Sequence, residues 1–185
     1  METLKIKVEE LTDEKIKSLK AGDLLLLSGE IYTARDAAHE RMVAEAKEGK
    51  ELPFDITGKA VYYAGPCPAK PGEVIGSCGP TTAGRMDAYT PYLLDRGLKV
   101  MIGKGARSRE VIDAMQRNTC VYLGAIGGAG ALISQCIKSA EVIAYADLGT
   151  EAIRKLYVED FPVTVLIDCE GRDIYEIGQA KYCKI

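Results

Sequence analysis

The chain has 185 residues, 47% hydrophobic and 28% charged, with 24 Lys and Arg against 27 Asp and Glu for a formal charge of -3. That length and apolar content suffice for one core, and the interleaved charges create no broad field to draw in nucleic acid or an acidic membrane. The opening METLKIKVEELTDEK lacks a long apolar stretch, and no run reaches the roughly 18 apolar residues of a membrane span, so no signal peptide or membrane helix is expected and a cytoplasmic location follows.

In chain order, LKIKVE alternates apolar and polar residues and predicts a strand, and residues 11–19 predict a short helix capped by Thr12. DLLLLSG, 23–29, is an apolar run bounded by turn residues and predicts a buried strand. It leads into TARDAAHERMVAEAKEG, a helix with capping-box-like spacing between Thr33 and Asp36, an inward stripe of Ala37, Met42 and Ala46, and a stop at Gly49. Residues 59–64 form the next strand. GPCPAKPGEVIGSCGP, 65–80, is too rich in Gly and Pro for a regular helix, and loops of that length in compact domains bind or cover something. Residues 81–94 read as helical apart from Pro91, 98–102 as a strand, and Ser108 as the cap of a helix to about Arg117. TCVYLG, a glycine-rich helix GGAGALISQCI and EVIAYADLG follow. A helix around 151–158, the strand PVTVLIDCE and a short strand DIYEI complete the chain. Strands alternating with helical segments predict a single layered α/β domain over 1–185 with a mixed sheet.

The cysteines at 67, 78, 120, 136, 169 and 183 form no C-x-x-C pair and read as free thiols, Cys120 and Cys169 packing as small hydrophobes. Cys67 and Cys78 lie in a loop where a metal ligand is conceivable, but a metal site needs three or four ligands brought together, and no metal is expected on this chain alone. GKGARS lacks the spacing of a P-loop, GAIGGAG lacks that of a dinucleotide fold, and no G-x-S-x-G elbow is present.

Three segments pair a cation with backbone freedom or a helix start: SGEIYTARDAAH at 28–39, CGPTTAGRMD at 78–87 and IGKGARS at 102–108. Strand ends and helix starts in α/β sheets favour anions, so a small dicarboxylate suits them. Arg35 can fork two donors onto a carboxylate; its other reading is a salt bridge, with Asp36 as the compensating acid. His39, one turn on, could orient a ligand or belong to a polar network, and Asp87 stands beside it as a supporting candidate. Arg85 sits four residues after Thr81, which could cap a helix or, with neighbouring cations, take part in proton transfer. Lys104, between two glycines after a strand, could neutralise a carboxylate or stand exposed in a turn.

GDLLLLSGEIYTARDAAH, GEVIGSCGPTTAGRMD, IGKG and AIGGAGAL, in that order, resemble the beta region of class I fumarate hydratase and L-tartrate dehydratase, the iron-sulfur hydro-lyases. The resemblance covers nearly the whole chain and implies a swivelling β/β/α domain, found fused or as a separate subunit. It implies that Arg35, Arg85 and Lys104 grip substrate carboxylates and that Thr81 abstracts or returns a proton. It also implies a [4Fe-4S] cluster held by three cysteines of an alpha partner in an alpha2beta2-type heteromer, leaving this chain an incomplete half-site. Fumarate hydration to L-malate is the leading reading. L-tartrate dehydration, or a noncatalytic carboxylate-binding or assembly module, are the alternatives.

Overall fold

The computed structural model describes residues 3–183. Seven strands run in the order β1 (Thr3–Lys7), β2 (Leu24–Thr33), β3 (Ala60–Tyr62), β4 (Val100–Gly103), β5 (Val121–Gly124), β7 (Ile153–Ile167) and β6 (Ile137–Ala144). An additional β2–β7 pairing closes the five strands β2-β3-β4-β5-β7 on themselves, with β1 and β6 as extensions. Pairings from β1 through β5 are parallel, and β7 runs antiparallel to β2, β5 and β6, so the sheet is mixed as expected.

The period-2 alternation of the strands divides the core into two clusters. Leu25, Leu27, Ile31, Tyr62, Ile102, Leu123 and Val165 belong to one, on the face enclosed by the closure. Their sequence neighbours Tyr32, Val61, Tyr63, Met101, Tyr122 and Leu166 belong to the other, which takes in residues of the helices α2 (Asp36–Lys47), α3 (Thr90–Leu94) and α4 (Arg109–Asn118). The stripe that α2 buries is Ala38, His39, Met42 and Val43, so Met42 was placed correctly while Ala37 and Ala46 are only half-buried. The remaining helices are α1 (Asp13–Ser18), α5 (Gly130–Cys136) and α6 (Ile174–Tyr182). Thr12 caps α1 as its sequence predicts, accepting a 3.3 Å bond from the Lys15 amide.

Four expectations are corrected. Residues 152–158 are not helical: a 3-10 helix, Ala146–Glu151, ends before them, β7 begins at Ile153, and its Leu156, Val158 and Phe161 are buried, so pairing to β2 and β6 overrides a weakly helical local pattern. DIYEI is not a strand, because Asp173 caps α6 by accepting a 2.8 Å bond from the Tyr175 amide. Residues 81–94 do not form one helix but a 3-10 turn, Ala83–Met86, and then α3, with Pro91 in its first turn where a missing N-H is harmless. The capping box at Thr33 is absent: Thr33 ends β2, its hydroxyl accepts from the Arg154 amide at 3.1 Å, and Arg35 occupies the N-cap position of α2.

Candidate functional site

The three cation-bearing segments meet at one end of the closed sheet. Arg35 follows β2 by two residues, Lys104 follows β4 directly, and Thr81 and Arg85 lie beyond the loop that leaves β3, so all four stand past the carboxyl ends of parallel strands. Ligands collect there in α/β folds because strand ends expose backbone polar groups around a crevice.

Two short backbone links bring Thr81 and Lys104 together. The Lys104 amide donates to the Thr81 carbonyl at 3.3 Å, and the Ala83 amide to the Lys104 carbonyl at 2.8 Å, forming a parallel bridge between Thr82 and Lys104. The Thr81 amide donates to the Tyr63 carbonyl at 2.7 Å, which anchors the segment to the end of β3. Thr81 caps no helix, since the 3-10 turn starts two residues later; the bridge, rather than helical spacing, fixes it near Lys104. Gly105 has φ +83, a left-handed conformation that turns the chain immediately after the lysine. The Lys104 side chain crosses Gly127, where an added Cβ would lie 3.6 Å from Nζ.

Arg35 and Arg85 converge on one carboxylate. Asp36 Oδ2 lies 3.6 Å from an Arg35 terminal nitrogen and 3.3 Å from one of Arg85. Glu151 adds a second acid 3.4 Å from Arg35, and its other oxygen accepts from the Ala37 amide at 2.9 Å, on the first turn of α2. The salt-bridge reading of Arg35, with Asp36 as the compensating acid, is the one its contacts display. Gly65 lies against the Arg35 side chain so closely that a Cβ would come within 2.9 Å of it. The Arg35 side chain is 22% exposed and that of Arg85 55%, so Arg85 is the more open of the two.

His39 does not face this opening. It is fully buried, its Nδ1 lies 2.9 Å from the Arg35 carbonyl, and its ring meets Tyr63 edge-on with centroids 5.3 Å apart. A carbonyl only accepts, so Nδ1 carries the proton and Nε2 is left with a lone pair. Burial pushes the imidazole down to about 4, and Arg107 adds to the fall against the opposing backbone bond and Asp36. His39 Nε2, Arg35 Nε and Asp36 Oδ1 are buried without hydrogen-bond partners. Buried polar atoms are normally satisfied, so this corner retains spare bonding capacity.

Asp87 is fully engaged rather than free. Oδ1 accepts from Arg107 Nε at 2.7 Å and Oδ2 from the Ser108 amide at 2.6 Å. Arg107 was not singled out in the sequence, because an arginine in a glycine-rich loop reads as exposed. Its only signal was membership of the IGKGARS segment. The 65–80 loop closes on itself through the Ala64–Pro80 bridge and a 2.9 Å bond from the Cys67 amide to the Ser77 carbonyl. Between this loop and α5 lies a cleft of about 540 Å³, away from the cationic cluster.

All six cysteines are free, and Cys78 and Cys120 are buried. Among the described residues, no group of three His, Cys, Asp or Glu could hold a metal ion, so an iron-sulfur cluster does not fit the side chains present here. Nor is any described helix long and apolar enough to cross a membrane.

A family model described as the fumarase C-terminus matches residues 1–178. The chain is 45% identical over 161 residues to the anaerobic class I fumarate hydratase of Escherichia coli strain K12, covering 86% of this chain and 29% of that protein. It is 43% identical over 154 residues to the mitochondrial fumarate hydratase 1 of Leishmania major, covering 82% and 28%. A Methanocaldococcus jannaschii protein provisionally named L(+)-tartrate dehydratase subunit beta is 37% identical over 172 residues, covering 90% and 88%. The chain thus spans under a third of the fumarate hydratases it matches and most of the separate subunit.

Proposed function

The chain belongs to the fumarase C-terminus family, that of class I fumarase and tartrate dehydratase beta regions, and from that premise we propose that it is the beta subunit of an iron-sulfur hydro-lyase interconverting fumarate and L-malate. The observation that carries the site is the meeting of Arg35 and Arg85 on one carboxylate, with Asp36 at 3.6 and 3.3 Å. Two guanidinium groups at that spacing form charge-assisted bonds to a substrate carboxylate, and Lys104 receives the other end of the dicarboxylate.

Hydration adds a hydroxyl to one alkene carbon and a proton to its neighbour. In this reading Thr81 returns that proton, or removes it in dehydration, with its hydroxyl positioned by the Lys104 bridge and its developing charge stabilised by the adjacent cations. The [4Fe-4S] cluster is assigned to an alpha partner, since no group of three His, Cys, Asp or Glu among the described residues could hold a metal, and neither half then owns a complete site. An alpha2beta2-type heteromer in the cytoplasm, with this chain as one swivelling β/β/α domain, completes the proposal. Ile126 marks the surface for a covering partner: it is 67% exposed, as is Leu132, and adjoins Gly127 beneath Lys104. We assign that covering surface to the alpha partner.

L-tartrate dehydration is the second reading, favoured by the relative that matches over 88% of its own length. The test is anaerobic loss of fumarate absorbance with the chain alone, with its cluster-loaded alpha partner, and with an Arg85→Ala chain in that complex. Turnover only in the mixture, falling at least about 10²-fold in the variant, is expected. Turnover by the chain alone would overturn the split site. A stable complex inactive on fumarate and active on tartrate would transfer the assignment, and dicarboxylate binding without turnover of either would make the chain a binding module.

A further inference from the structure

The Arg107 side chain is completely buried, and each of its three guanidinium nitrogens has a protein partner. Besides the bond to Asp87, it donates to Thr90 Oγ1 at 2.8 Å and lies within 3.4 Å of the Tyr63 hydroxyl, with the Tyr63 and Tyr122 rings 5.3 and 5.0 Å away. A ligand therefore cannot reach it. Burying an ion pair brings little net stability, because desolvating both charges offsets their attraction, and apolar replacements of similar volume are commonly tolerated. What the pair does provide here is geometry.

The segment carrying Thr81 and Arg85 and the segment carrying Lys104 are joined at two points. At one end stands the Thr82–Lys104 backbone bridge. At the other, both Asp87 oxygens bind the Arg107–Ser108 corner. Arg85 lies between them on the 3-10 turn Ala83–Met86, whose end bonds are long: the Arg85 amide reaches the Thr82 carbonyl at 3.4 Å and the Asp87 amide the Gly84 carbonyl at 3.3 Å. We propose that Arg107 and Asp87 form a positioning clamp that holds Arg85 at a set distance from Lys104 before the dicarboxylate arrives. This rests on the carboxylate-binding reading of Arg85 and extends it to a buried pair that touches no substrate.

Removing one partner strands a buried charge and threatens the fold, so the test replaces both: Asp87→Leu with Arg107→Met. In the assembled complex, kcat/KM for fumarate is expected to fall about 10²-fold, the scale of a misplaced binding group, with the thermal midpoint within a few degrees of wild type. Placed in an Arg85→Ala background, the same double replacement should cost less than about threefold, since the clamp acts through Arg85. Equal losses in both backgrounds, or a loss that tracks only the folded fraction, overturn the clamp. Hydrogen exchange of the full chain reads it independently of any reaction: the Asp87 and Ser108 amides should exchange at least about tenfold faster in the double variant, while those of β4 and β5 do not change. Unaltered exchange at Asp87 and Ser108 overturns the clamp whatever the activity. Faster exchange beside an inactive wild-type complex overturns the hydro-lyase reading alone.

Discussion

Acidification should weaken this protein through His39. The imidazole is buried against Tyr63, faces the charges of Arg107 and Asp36, and drops from 6.5 to about 4. Between those values the unfolded chain binds a proton that the folded chain refuses, so stability is present in full above about pH 6.5 and lost as pH falls towards 4. A fall from 6.5 to about 4 corresponds to about 3 kcal/mol in total, of which about 2 kcal/mol is gone by about pH 5. Urea unfolding at about pH 7.5 and 5, on wild type and His39→Leu, measures this directly. The variant loses the 2.9 Å bond to the Arg35 carbonyl at every pH, a constant offset, whereas the carboxylates titrate in both proteins and cancel. Wild type should therefore lose about 2 kcal/mol more than the variant between the two conditions. Identical losses would refute the reasoning and mean that His39 is protonated, or solvated, in the folded state.

Three further outcomes are expected. Thr81→Ala in the assembled complex should lower kcat about 10²- to 10⁴-fold with KM for fumarate little changed, and Thr81→Ser should restore most of it; unchanged kcat removes Thr81 from proton transfer. Ile126→Asp should weaken assembly with the alpha partner at least about tenfold in sedimentation while leaving the chain's own melting midpoint in place, because the side chain is 67% exposed. Alkylation at about pH 8 should label the exposed Cys67 and spare Cys78 and Cys120, whose thiols burial pushes up to about 12, until denaturant is added. Early labelling of Cys120 would show that its place in the core is open.

The sequence alone determined what repeats locally or stands in a recognisable segment. Apolar runs with turn residues at both ends located β2, β4 and β5, and Thr12 marked the start of α1, because periodicity and capping depend on residues a few positions apart. The candidate site residues Arg35, Thr81, Arg85 and Lys104 were proposed for a similar reason: each lies in a short segment where a charge or hydroxyl accompanies glycine or a helix start. PVTVLIDCE was legible as a strand, but long-range pairing alone extends β7 back to Ile153, since the ladder partners of residues 154–158 in β2 lie more than a hundred residues away and outweigh local preference. The same distance hid the rest of the site. Glu151 reaches Arg35 from beyond β6, and Arg107 becomes a buried clamp only when Asp87, Thr90 and Tyr63 close around it. Hydrogen bonds and desolvation act between neighbours in space, and that neighbourhood does not exist until the sheet has closed.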